Sequence, residues 1–122
     1  MTDYEYIASC ITQESALCQI AEEAAELAQA ALKLRRVLAQ DSPTPTTEED
    51  ARGNVLEEMA DTLVAFRAWE HINGLGASLI VDGIAYVKEK RWVDRLKAAE
   101  NKTKDGGESA EEDKQQAEGR TV

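Results

Sequence analysis

The sequence predicts an all-α protein, an antiparallel helical bundle whose core is completed by oligomerisation. Two long stretches repeat apolar residues at alternating steps of three and four, the phase of one face of an α-helix. Both prolines, Pro43 and Pro45, fall in the polar segment between those stretches, where a helix must break and the chain reverse. At 122 residues the chain is one domain at most. Once its polar C-terminus is set aside it has little with which to build a core, so a partner subunit would help it bury apolar surface.

Residues 3–11 carry Tyr4, Tyr6, Ile7 and Ile11 and read as a short helix or an arm packed on the body. From about Thr12 to Ala39 the residues Leu17, Ile20, Ala24, Leu27, Ala31, Leu34 and Leu38 trace the stripe of a long helix, rich in the strong helix formers alanine and leucine. The break at Gln40–Thr47 follows. Thr47-Glu48-Glu49-Asp50 then supplies a capping hydroxyl and acids for the positive end of the helix dipole. The next helix runs from Glu48 to His71, with Leu56, Met59, Leu63, Phe66 and Glu70 as its stripe. Asn73-Gly74-Leu75-Gly76 signals a second turn. A further helix over Ala77–Ala99 carries Leu79, Ile80, Ile84, Val87, Trp92, Val93 and Leu96, with Gly83 as a weak point and a basic second half. Residues 1–100 thus form the helical domain. From Asn101 to Val122 the chain lacks large apolar residues and is expected to be a disordered acidic tail.

Charge and termini narrow the function. With 24 Asp and Glu against 14 Lys and Arg, the formal charge of −10 argues against a partner that is a nucleic acid polymer or an anionic membrane. The N-terminus has no basic stretch leading into an apolar run, and no apolar run approaches a membrane span, so a soluble, cytoplasmic protein is expected. Cys10 and Cys18, if on one helix, are too far apart to bridge and read as reduced, buried thiols. With one histidine they also fall short of a zinc site.

One short pattern occurs twice: Glu22-Glu23-Ala24-Ala25-Glu26 and, 35 positions later, Glu57-Glu58-Met59-Ala60-Asp61. Positions three apart share a helix face, so Glu23 pairs with Glu26 and Glu58 with Asp61. Each pair sets like charges side by side, a local cost that a bound cation would offset. Counted back from the turn, the first pair lies about 22 Å before its helix ends and the second about 19 Å after its helix begins, so in a hairpin they come level. Four carboxylates form an all-oxygen set suited to magnesium or manganese and less to zinc. Glutamate is also common on the solvated faces of charged helices, and the paired acids have that plainer reading too. A di-iron bundle would need Glu-x-x-His motifs, and the lone histidine, His71, has Ala68 three residues before it. No Gly-rich phosphate loop, Gly-x-Ser-x-Gly elbow or Cys-x-x-Cys appears, which leaves water activated by a metal or by a carboxylate beside it. Lys88, Arg91 and Arg95 share one face of the last helix, where they either favour its C-terminal dipole or clamp the phosphates of a triphosphate. Tyr86 and Trp92 read as core or as a stacking surface for a base.

Glu23-x-x-Glu26 followed by Glu58-x-x-Asp61, in the contexts EEAAELAQA and EEMADTLVAF, resembles the MazG-like branch of the all-α nucleoside triphosphate pyrophosphohydrolases. Lys88-x-x-Arg91-x-x-x-Arg95-Leu96 is similar to a basic segment on a later helix of short members, and the resemblance covers residues 12 to 97. It implies a homodimer or homotetramer that cleaves a nucleoside triphosphate to the monophosphate and pyrophosphate. It further implies Mg²⁺ (or Mn²⁺) held by Glu23, Glu26, Glu58 and Asp61, one of which also orients the attacking water. Lys88, Arg91 and Arg95 would contact phosphate, and Lys33, two turns after Glu26, would reach the substrate or pair with a nearby acid. Dimeric dUTPases and phosphoribosyl-ATP pyrophosphohydrolases share the acidic core, so the resemblance leaves the base open. The alternative from another class is a non-catalytic helical module whose acidic faces bind a basic protein partner.

Overall fold

Three threonines start the first three helices. The computed structural model describes residues 1–74 and 76–118, those from 106 on as backbone only. Among them are four α-helices and no strand: α1 (Asp3–Cys10), α2 (Gln13–Ala39), α3 (Glu48–Asn73) and α4 (Ala77–Glu118). The hydroxyls of Thr2, Thr12 and Thr47 accept from the backbone N–H groups of Glu5, Ser15 and Asp50, satisfying a donor that each first turn leaves free. In α1 the Glu5 carboxylate returns the bond to the Thr2 N–H at 2.7 Å, completing a capping box. Gln40 closes α2 in the left-handed region at φ 54°, its N–H donating to the Arg36 carbonyl. Gly74 (φ 106°) and Gly76 (φ 109°) then turn the chain out of α3 through backbone angles that a side chain rarely allows.

The chain falls into two units, Met1–Ser78 and Leu79–Val122. In the first, α3 packs on both α2 and α1. The Tyr4 ring of α1 stacks on His71 in the last turn of α3, with 5.3 Å between ring centres. The buried residues are Ala16 and Ala30 of α2 and Ala51, Val55, Ala65 and Ala68 of α3. Alanine supplies all but one of them, so the fully buried part of the contact is made of small side chains.

The stripe expected from periodicity is therefore displaced. On α2, Ile20, Leu27 and Leu34 do face inward, but beside Ala16, Glu23, Ala30 and Val37, whereas Leu17, Ala24, Ala31 and Leu38 are exposed. On α3, Leu56, Met59 and Leu63 are exposed and the inward row is Ala51, Glu58, Ala65 and Ile72. Two neighbouring rows of each helix are apolar and share one period, and the rows of small residues win the contact because they let the backbones come close. The two helices also repeat one another at the 35-residue offset of the acidic motif. The capping threonines correspond (Thr12, Thr47), as do the inward rows: Ala16 with Ala51, Ile20 with Val55, Glu23 with Glu58, Ala30 with Ala65, Val37 with Ile72.

The second unit consists of one helix from Leu79 onward, in which no second element covers the apolar side chains. Leu79, Ile80, Ile84, Val87, Val93 and Leu96 are exposed, and Trp92, for which the sequence favours a core position, is instead 64% exposed. Helical backbone continues through residues 101–118, where composition predicts a tail without fixed structure. Alanine, glutamate, lysine and glutamine there are good helix formers, and Lys104 pairs with Glu100 at 3.4 Å across one turn. Residues 119–122 of that tail lie outside the described residues. Cys10 and Cys18 are unbridged as expected but exposed, at the end of α1 and on the outer side of α2. Among the described residues no helix is long and apolar enough to cross a membrane.

Because small residues set the approach of α2 to α3, Ala65→Leu should destabilise the fold by about 1–3 kcal/mol through overpacking. Urea denaturation followed by far-ultraviolet circular dichroism measures this directly, and a neutral result would mean that the seam has room to spare.

Candidate functional site

The inward rows carry the acids. Glu23 and Glu26 stand one turn apart on α2 and Glu58 on α3, and one carboxylate oxygen from each lies within 4.8 Å of the others. Glu23 and Glu58 are half-buried and Glu26 is exposed. The Gln19 amide donates to Glu23 Oε1 at 2.7 Å. The second oxygen of Glu23, Oε2, is closed off from solvent without a hydrogen-bond partner, and so is Oε2 of Glu58. Asp61 is exposed and stands outside that trio, yet its charge acts on both Glu23 and Glu58. Of the four acids singled out by sequence, three are thus clustered and the fourth lies within electrostatic reach.

Crowding shows in their titration. Burial is the largest influence on Glu23 and raises its pKa above the ordinary 4.5; the Gln19 bond opposes this, and the charges of Glu26 and Asp61 add to the rise. Burial also leads for Glu58, followed by the charges of Glu26 and Asp61. The Glu26 carboxylate beside them adds to the rise on both residues. Two enclosed oxygens with no donor and three like charges in one cluster fit a hard divalent cation, whose preferred ligands are carboxylate oxygens.

An open groove of ≈ 820 Å³ leads away from the acids along α2 to the proline segment. Glu26 and Glu58 line it together with Lys33, Arg36, Asn54 and the Pro43-Thr44-Pro45 stretch. Lys33 lines it two turns beyond Glu26 on the same helix. Arg36 and Asn54 join it without having been singled out by sequence. The signal for them is the same helical spacing: Arg36 lies three residues beyond Lys33, and Asn54 four before Glu58.

Lys88, Arg91 and Arg95 belong to the second unit, where they share one flank of α4 with Trp92 and with the acids Glu89 and Asp94. The Lys90 ammonium stands 5.3 Å from the centre of the Tyr86 ring and covers a face that a base would otherwise stack on. No protein-family model matches the chain, and no curated protein or solved structure does either.

The raised pKa values carry a sign. The native chain holds protons on Glu23 and Glu58 more tightly than the unfolded chain, so their contribution is fully present below pH 4.5 and is lost as pH rises through the raised native values. In chelator, Glu58→Gln should therefore gain thermal stability over the wild type as pH goes from 4.5 towards neutrality, with little difference at the acidic end. Melting curves across that range, repeated with Mg²⁺, should show the wild type recovering the deficit when the cation is present.

Proposed function

We propose that the protein is a metal-dependent nucleoside triphosphate pyrophosphohydrolase that cleaves a (d)NTP to the (d)NMP and pyrophosphate. The observation that carries this reading is the enclosed, donor-free oxygen on each of Glu23 and Glu58, beside Glu26, at the seam of two helices. In this reading α2 and α3 run antiparallel, as the helices of a MazG-like bundle would, and Glu23, Glu26, Glu58 and Asp61 hold Mg²⁺ or Mn²⁺. Such an ion supplies charge neutralisation of the triphosphate and a water of lowered pKa. The chain's own residues do the rest. A carboxylate of the cluster accepts the proton of the attacking water. The water oxygen bonds to phosphorus, the link between the α-phosphate and pyrophosphate breaks, and pyrophosphate leaves with the electron pair. Lys33 stabilises charge on the phosphates. A homodimer or homotetramer would cover the exposed Leu17, Leu38, Leu56, Met59 and Leu63. A module that merely displays acids to a basic partner would hold their carboxylates in water, and the closed-off oxygens favour the cation instead.

Pyrophosphate release from a panel of canonical and modified ribo- and deoxyribonucleoside triphosphates, with Mg²⁺ and with excess chelator, tests the reaction. Metal-dependent release is expected, and its absence from folded protein would overturn the reading. Glu58→Ala and Asp61→Ala should each lower kcat by about a hundredfold or more while helicity persists.

A further inference from the structure

The 35-residue correspondence between α2 and α3 is symmetric at the acids and broken beside them. Glu23 answers to Glu58 and Glu26 to Asp61, but Lys33 answers to Ala68 and Arg36 to His71. One arm of the repeat therefore carries two permanent cations where the other carries a buried alanine and a histidine stacked on Tyr4. The groove runs along the cationic arm only as far as the proline segment, and both Lys33 and Arg36 line it.

Their charges are unspent. Arg35 on α2 is paired with Asp41 of the following turn at 3.1 Å, and Arg52 is paired with Glu48 at 2.7 Å. Among the described residues neither Lys33 nor Arg36 is held in an ion pair, although acids outnumber bases by 24 to 14 and Glu26 and Glu58 line the same groove. On a helix the side chains lean towards its N-terminus, which for Lys33 and Arg36 is the direction of Glu26. Lys33 is about 10 Å along the axis from Glu26 and Arg36 about 15 Å, so each long side chain shortens its gap. Asn54 adds amide donors from the facing helix.

We infer that this groove is a pyrophosphate subsite: Lys33 and Arg36 hold the two terminal phosphates of the substrate, and the same pair retains pyrophosphate after cleavage. The inference rests on the pyrophosphohydrolase reading and gives the triphosphate a direction, with its terminal phosphates towards the proline segment and its nucleoside away from it. A fork of donors on Arg36 suits paired phosphate oxygens, while Lys33 acts as a point charge. Lys88, Arg91 and Arg95 are not needed for this step.

The test is calorimetric titration of the full chain with inorganic pyrophosphate in Mg²⁺, beside steady-state hydrolysis of the best nucleoside triphosphate. Wild type should bind pyrophosphate, and Lys33→Ala and Arg36→Ala should each weaken binding by about tenfold or more and raise KM in parallel. Arg36→Lys should recover only part of the loss. Arg35→Ala removes the same charge from outside the groove and should leave binding unchanged, with circular dichroism confirming that every variant is folded. Absence of pyrophosphate binding by the wild type, or equal weakening by Arg35→Ala, would overturn the subsite. Metal-dependent hydrolysis with pyrophosphate affinity untouched in Lys33→Ala and Arg36→Ala would overturn the subsite and keep the enzyme. Pyrophosphate binding lost in both variants, with no triphosphate hydrolysed, would uphold the anion site and discard the enzyme.

Discussion

Glu23 and Glu58 stand in rows that elsewhere hold alanine, valine and isoleucine. Along α2 the row reads Ala16, Glu23, Ala30, Val37, and along α3 Ala51, Glu58, Ala65, Ile72. A seam lined by alanine brings two backbones close, and that closeness crowds the carboxylates. The small residues and the acids are thus one device: larger side chains at Ala30 or Ala65 would spread the helices, while the acids oppose the approach that the alanines allow. Capping by Thr12 and Thr47 fixes where each helix begins and hence the level at which its acid stands.

The same choice determines what the chain leaves outside. With small residues on the seam, Leu56 is 62% exposed and Met59 52%, and the leucines of the neighbouring rows are open as well. An interior of alanines and one valine buries little apolar area, and burial is the main source of stability. Unit 1 therefore has a small apolar centre for the length of its helices. Its crowded acids subtract further from that modest total.

Much of this was legible in the sequence. The helix boundaries follow from Thr12, the prolines, Thr47 and the Gly74–Gly76 turn, because caps and breakers act locally and need no knowledge of packing. The convergence of Glu23, Glu26 and Glu58 was also legible, since two helices joined by a short break have few ways to align. What periodicity could not supply was the choice between adjacent apolar rows. Leu17, Ala24, Ala31 and Leu38 repeat with the same period as Ala16, Glu23, Ala30 and Val37, and hydrophobicity alone favours the leucines. Side-chain size decides the contact, and it decides for the row that contains a glutamate. Arg36 and Asn54 escaped for a related reason: each lies one helical turn from a residue already marked, and spacing alone does not say how far a groove extends.

Exposed leucines in a strongly acidic chain tie its colloidal behaviour to protons. At neutral pH a net charge of −10 makes molecules repel one another and guards any apolar row that no partner covers. Near the isoelectric point of about 4.6 that repulsion vanishes while the rows stay uncovered. Acidification relieves the crowded carboxylates inside each molecule and removes the barrier between molecules, so the pH at which one copy is least strained is the pH at which many copies are most prone to precipitate.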